Sequence, residues 1–137
     1  FLERLGPAYK KQSKTPRVLV GDLNVAPHEN DVWSHKQLLK IVSHTPGETE
    51  RLEDSRNQAA FADIARLAVE DHQKLYSWWS YRAKDWAKSN RGRRLDHIWM
   101  NPAALPDTKI DTFKIHLAWR GGWKPSDHAP ISVEMKV

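Results

Sequence analysis

A chain of 137 residues, 28% of them charged and 39% hydrophobic, has the size and composition of one globular domain with a real core, which excludes the disordered and membrane-spanning classes. No apolar run approaches the roughly 20 residues a membrane helix needs. The absence of cysteine excludes disulfides, zinc–thiolate sites and thiol nucleophiles, and fits a cytoplasmic location.

The opening, Phe1-Leu2-Glu3-Arg4, reads as neither a signal peptide nor an initiating methionine, so the sequence is expected to be a fragment or a processed product. Leu2, Leu5 and Tyr9 predict a short helix, ended by the polar run 10–15. Residues 17–21, RVLVG, form an apolar run without alternation, which predicts a strand buried on both faces. A loop over 22–31 follows, punctuated by Pro27 and Asn30. Helical periodicity returns over 33–42 (Leu38, Leu39, Ile41, Val42) and again over about 49–60, the two separated by Pro46-Gly47. Residues 61–67 fit either a strand or the end of that helix. Strands are predicted over 76–81, 95–100, 110–117 and 131–137, with a polar loop over 82–93 and a glycine-containing turn over 119–125. There is no internal repeat, and strands mixed with a few helices predict a single α/β domain in layers.

Three short motifs carry the chemistry. In Gly21-Asp22-Leu23-Asn24, the acid and the amide lie two apart after a strand, so both project to one side if strand geometry persists. The carboxylate is suited to a proton or a cation, and the amide to a developing negative charge. The plainer reading is an Asx turn closing the strand. In Ser126-Asp127-His128, Asp127 can ligate a cation and His128 can donate to a phosphoryl oxygen, unless the tripeptide is only a polar turn. Asp96 lies inside an apolar strand, where an unpaired carboxylate is expensive. Its partner is either Arg93 or Arg94, or the imidazole of His128, whose tautomer and protonated form it would then favour. Oxygen ligands, a group to orient water and a cation to meet charge together suit hydrolysis of a phosphate ester with a hard metal ion.

A formal charge of +5 favours a polyanionic partner. Seven tryptophans are many for this length, and Trp78, Trp79 and Trp86 fall within nine residues. They interleave with Arg82, Lys84, Lys88, Arg91, Arg93 and Arg94, a pattern that suits stacking on bases and holding phosphates, although packed and solvated roles are the commoner use. His28, His35, His44, His72 and His116 show no metal-type spacing and read as structural or surface residues.

Taken together, VLVGDLNVAP (18–27), YSWWSYRAKDWAKSNRGRRLDHIW (76–99) and KPSDHAPISV (124–133) resemble the exonuclease III / apurinic–apyrimidinic endonuclease family of the endonuclease/exonuclease/phosphatase superfamily. The WW-x-YR…NRG-x-RLD run points to its DNA-repair branch. The resemblance implies the C-terminal half of a four-layer α/β sandwich. It also implies a magnesium-dependent nuclease (manganese as the alternative ion) acting on double-stranded DNA at abasic sites and 3′ ends. Asp22 looks like the carboxylate that exchanges a proton with water or leaving group, and Asn24 like its partner at the phosphorane. Asp96 looks like the acid that orients His128, His128 like the contact to the scissile phosphate, and Asp127 like a metal-site carboxylate. Asp22, Asn24, Asp127 and His128 are accordingly the candidate metal-site residues. Trp78, Arg93 and Leu95 look like the lining of the pocket for an extrahelical abasic sugar, with Arg93 where some members carry tryptophan. Arg82 and Asn90 look like residues of a DNA-facing loop.

The family's first half has no counterpart here, and with it go the principal metal-binding glutamate, an Asn or Asp before it, and an active-site tyrosine. Glu3 lies in the helix before the GDLN strand and cannot replace that glutamate, so a magnesium site made by this chain alone is short of protein charge. One sheet without its partner is also expected to expose an apolar face. The expectation is a nuclease as the parent protein, inactive as this piece. The alternatives are a phosphoesterase of the same superfamily acting on RNA or a small phosphorylated substrate, or a non-catalytic nucleic-acid-binding fragment.

Overall fold

The computed structural model of the chain describes residues 2–9 and 14–136. In chain order the elements are α1 (Leu2–Tyr9), β1 (Val18–Asp22), α2 (His35–Leu38), α3 (Pro46–Gln58), β2 (Ala62–Asp63), α4 (Ile64–Ala68) and β3 (Trp78–Trp79). They continue with α5 (Trp86–Ser89), β4 (Gly92–Arg93), β5 (Asp96–Met100), β6 (Thr108–Ile115), α6 (Leu117–Arg120) and β7 (Ile131–Met135). Short 3-10 turns occupy Glu29–Asp31 and Leu105–Asp107. The mixed α/β class is as expected. Residues 10–13 of the predicted polar stop, and Val137 of the last predicted strand, lie outside the described residues.

The central sheet has the order β1-β5-β2 and is antiparallel. On one side of it Leu19 packs with Trp99, Phe61, Leu52, Val25 and Leu5, joining the sheet to α1 and α3. Ile98 and Met100 pack with Ile64 and Ala104, and the β6–β7 hairpin covers them with Phe113, Ile131, Val133 and Met135. The strand predicted to be buried on both faces is instead an edge strand with one bare face: Val18 and Val20 are 45% and 66% exposed. Composition made both faces apolar, but packing reaches only the Leu19 side.

The other departures have local causes. The helix predicted over 33–42 shrinks to α2, because the chain turns after Leu38 and Ser43 takes a left-handed φ of 82°. Ile41 and Val42, read as its apolar face, are exposed. His44 is buried and donates from Nδ1 to the Ala26 carbonyl (2.6 Å), while its Nε2 meets His35 Nδ1 at 2.8 Å. α3 starts before the predicted 49 because Thr45 and Glu48 form a capping box with Pro46 at the first helical position. Residues 61–67 divide between both predicted states, giving β2 and then α4. The strand predicted over 76–81 is only β3, and the loop predicted over 82–93 contains α5 and β4. The turn predicted over 119–125 begins with the end of α6.

Gly92 is where β4 meets Tyr76: a Cβ there would stand 2.6 Å from the Tyr76 Cβ and Cγ. Only glycine allows the β3–β4 ladder to pack this tightly, and that ladder places Trp78 opposite Arg93.

Candidate active site

The β1–β5 register positions the site. Val18 pairs with Met100, Leu19 with Trp99, Val20 with Ile98 and Gly21 with His97, so Asp22 lies directly opposite Asp96 at the same end of the sheet. An isolated bridge from Trp78 to His128 then brings the C-terminal motif to that end. Three motifs remote in sequence thus meet.

Strand geometry stops at Asp22, and Asn24 adopts a left-handed φ of 55°. The Asp22 Oδ1 accepts the Asn24 backbone N–H (2.9 Å), which is the Asx turn of the plainer reading. That same turn lays the Asn24 amide against Asp22, with Nδ2 3.3 Å from Oδ2. The two readings of Gly-Asp-x-Asn were therefore not alternatives: the turn is what juxtaposes acid and amide.

Asp96 makes its contact with the imidazole. His128 Nδ1 lies 2.8 Å from Asp96 Oδ2, and a carboxylate has no proton to give, so Nδ1 donates. That leaves Nε2 facing Asp22 Oδ2 at 3.8 Å, too long for a direct hydrogen bond and about the span in which a substrate atom or water is held between two groups. The His128 and Asp22 side chains are 28% and 36% exposed, so the gap opens to solvent. Ser77, fully buried, locks the acid: its Oγ donates to Asp96 Oδ2 (2.6 Å) and accepts from the backbone N–H groups of Leu95 and Asp96 (3.1 Å each). Sequence reasoning missed Ser77; its partner lies 19 residues away, and a serine before two tryptophans carries no local signal of such a contact.

Arg94, one of the two arginines weighed for Asp96, is committed elsewhere. It is buried and binds Asp31 (Nη2 to Oδ2, 2.7 Å) and Asp63 (Nη2 to Oδ2, 2.8 Å). Arg66 also binds Asp31. Arg94 Nη1 reaches His97 Nδ1 at 3.2 Å, and His97 Nε2 donates to the Val25 carbonyl (2.8 Å), so this buried network holds the loop that follows Asn24. Burial would raise the Asp31 carboxyl, but Arg94 and Arg66 outweigh it and hold it below the ordinary carboxylate range.

Burial, and then the adjacent Arg94 guanidinium, push the His97 imidazole down to about 4 from its ordinary 6.5. The unfolded chain therefore binds more protons between those values, and stability falls as pH falls through that window. The loss is expected to reach about 3 kcal/mol. Buried His44 is shifted the same way, chiefly by burial, and adds to it. Urea titrations at pH 7 and pH 4.5 measure the slope. It should flatten in His97→Gln, and an unchanged slope in that variant would refute the assignment.

Trp78, Arg93 and Leu95 do come together, lining a cavity of about 520 Å³ with Leu23, Asn24 and His128. Arg93 lies over the Trp78 ring (5.3 Å) and donates from Nη1 to the Val42 carbonyl (2.9 Å) and Ser43 Oγ (2.7 Å). Asn90 closes α5 with a φ of 44° and accepts the Trp79 indole N–H on Oδ1 (3.1 Å). Arg82 is exposed on the segment after β3.

Asp127 accepts the Trp78 indole N–H on Oδ2 (2.9 Å), so one of its oxygens is already engaged. Among the described residues no group of three or more His, Asp or Glu side chains forms a metal-binding cluster. Asp22 and Asn24 offer adjacent oxygens with a single carboxylate charge, which does not make a magnesium site on its own. No helix among the described residues is long and apolar enough to cross a membrane.

Residues 3–128 match the endonuclease/exonuclease/phosphatase family, and the chain belongs to it. It is 34% identical over 128 residues to the DNA repair nuclease APEX1 of Danio rerio, covering 91% of this chain and 38% of that protein. It is 33% identical over 130 residues to the exodeoxyribonuclease III of Haemophilus influenzae, covering 88% of this chain and 46% of that one. Its fold superposes on an AP endonuclease from Archaeoglobus fulgidus with a TM-score of 0.88 at 27% identity, covering 99% of this chain and 52% of that structure. The chain thus spans about half, or less, of the length of the relatives it matches.

Proposed function

We propose that this chain supplies one half of the active site of a DNA-repair phosphodiesterase of the exonuclease III type. That enzyme would hydrolyse the phosphodiester 5′ to an abasic site and trim 3′ ends. The observation that carries the reading is the register that sets Asp22 opposite Asp96, with His128 held on Asp96 and its free nitrogen 3.8 Å from Asp22. Water is the nucleophile: its oxygen bonds to phosphorus, the bond from phosphorus to the leaving sugar oxygen breaks, and that oxygen takes a proton. Asp22 carries the proton exchanged with water or leaving group, and the Asn24 amide and His128 Nε2 meet charge on the phosphoryl oxygens. Asp96 and Ser77 position His128. The cavity at Trp78, Arg93 and Leu95 takes the sugar beside the scissile phosphate, and Arg82 and Asn90 lie on the face that meets DNA. The names of the two curated relatives support DNA as the substrate.

Magnesium dependence belongs to this reading, and the donors present here fall short of it, so the remaining ligands come from a segment outside this chain. The test is an abasic duplex incubated with magnesium and the purified chain, alone and with the rest of the parent protein added in trans. The expected result is no cleavage alone and cleavage on mixing. Cleavage by the chain alone would overturn its inactivity, and failure of the mixture to cut abasic or 3′-recessed DNA would overturn the function.

A further inference from the structure

Resting on that reading, we infer that α6 and the loop after it form a stacking platform for an unpaired nucleobase beside the phosphate held at His128. Trp119 and Trp123 are 72% and 87% exposed, although burying an indole is among the largest apolar gains a fold can make. They are not on a loose segment. Arg120, between them in sequence, is buried, donates from Nη2 to the Trp79 carbonyl (3.1 Å), and lies 4.9 Å from the Trp86 ring and 5.3 Å from the Tyr81 ring. The Tyr81 hydroxyl ties the far end of the loop by donating to the Pro125 carbonyl (2.8 Å). The fold therefore anchors this helix-and-loop segment at both ends while leaving two indoles in water.

What they flank identifies the occupant. Trp119, Trp123, Lys124 and His128 share the wall of a cavity of about 540 Å³, distinct from the one at Trp78, Arg93 and Leu95. His128 belongs to both, so a phosphate at its Nε2 has a cavity on either side: one for the sugar it is attached to, the other for the neighbouring nucleotide. Lys124 Nζ sits 4.7 Å from the Trp123 ring centroid, placing a cation where the next phosphate passes. Rings with a cation beside a phosphate-handling imidazole fit a nucleobase, since every base has a π-face to stack. Within a duplex those faces are occupied by neighbouring bases, so the base that fits is one that is frayed, splayed or single-stranded.

The test uses the 137-residue chain complemented with the rest of the parent protein, in EDTA, with fluorescence anisotropy of three labelled DNAs. These are a blunt duplex, the same duplex with a 3′ thymidine tail, and one with a tail of base-free tetrahydrofuran residues that keeps the phosphates. The thymidine tail is expected to bind about tenfold more tightly than the base-free tail. Trp119→Ala/Trp123→Ala should abolish that difference, Trp119→Phe/Trp123→Phe should retain most of it, and blunt-duplex binding should not move. Equal binding of the two tails, or an alanine double variant that keeps the preference, overturns the platform alone. A change in sedimentation with no effect on tail preference assigns the indoles to a second copy of the chain and also overturns it. Failure of all three DNAs to bind overturns both the platform and the proposed function.

Discussion

Replacing Arg94 with leucine is expected to lower stability by roughly 3–5 kcal/mol, the range for removing one partner of a buried ion pair. The chain as a whole is expected to hold only ~5–15 kcal/mol, so this is a large share of it. Arg94 is 1% exposed and Asp31 is fully buried, and two carboxylates and an imidazole converge on its guanidinium. Leucine fills much of the volume, yet leaves Asp63 without its guanidinium and Asp31 with Arg66 alone. Arg94→Lys keeps the charge but loses the fork that reaches both acids, so it should recover only part of the loss. Urea denaturation measures both variants. The exposed Lys109–Glu134 pair is the control, since Lys109→Ala should leave the midpoint where it was. A wild-type midpoint in Arg94→Leu would mean that the network contributes specificity without stability.

The second large effect concerns turnover. In the complemented enzyme, His128→Asn is expected to lower kcat by about 10²–10⁴-fold with little change in stability. Asp96→Asn should produce a loss of the same order, because its role is to hold the His128 Nδ1 proton and ring orientation. If the two act as one unit, the double variant is no slower than His128→Asn by itself. Additive losses in kcat would separate Asp96 from His128, and full activity in either single variant would remove that residue from the reaction. Ser77→Ala tests the layer beneath: a smaller fall in kcat with KM unchanged marks a positioning residue, whereas a fall in stability alone marks a structural one.

Several features were legible because they are local. Periodicity gave the body of α3, although the capping box at Thr45 and Glu48 starts it earlier than periodicity placed it. Leu2, Leu5 and Tyr9 gave α1 from spacing, and the apolar runs gave β1, β5, β6 and β7 nearly to their ends. The loop predicted over 82–93 hides a helix of one turn capped by Asp85, too short for periodicity to register.

The sequence by itself determined the chemistry available and its segments: an acid and amide after one strand, an acid within another, an acid and imidazole before a third. What it left open was settled by contacts across long stretches of chain. Asp96 had three candidate partners, and the fold gave it His128 by spending Arg93 on Val42 and Ser43, and Arg94 on Asp31 and Asp63, 63 and 31 residues away. Composition made β1 apolar on both faces, and only its place at the sheet edge left Val18 and Val20 bare. Seven tryptophans were equivalent as letters, yet Trp99 and Trp79 went to the core while Trp119 and Trp123 stayed in water. Propensity and capping act over a few residues. Strand register and the pairing of buried charges are decided by which distant surfaces close on one another, and that information exists only once the chain has folded.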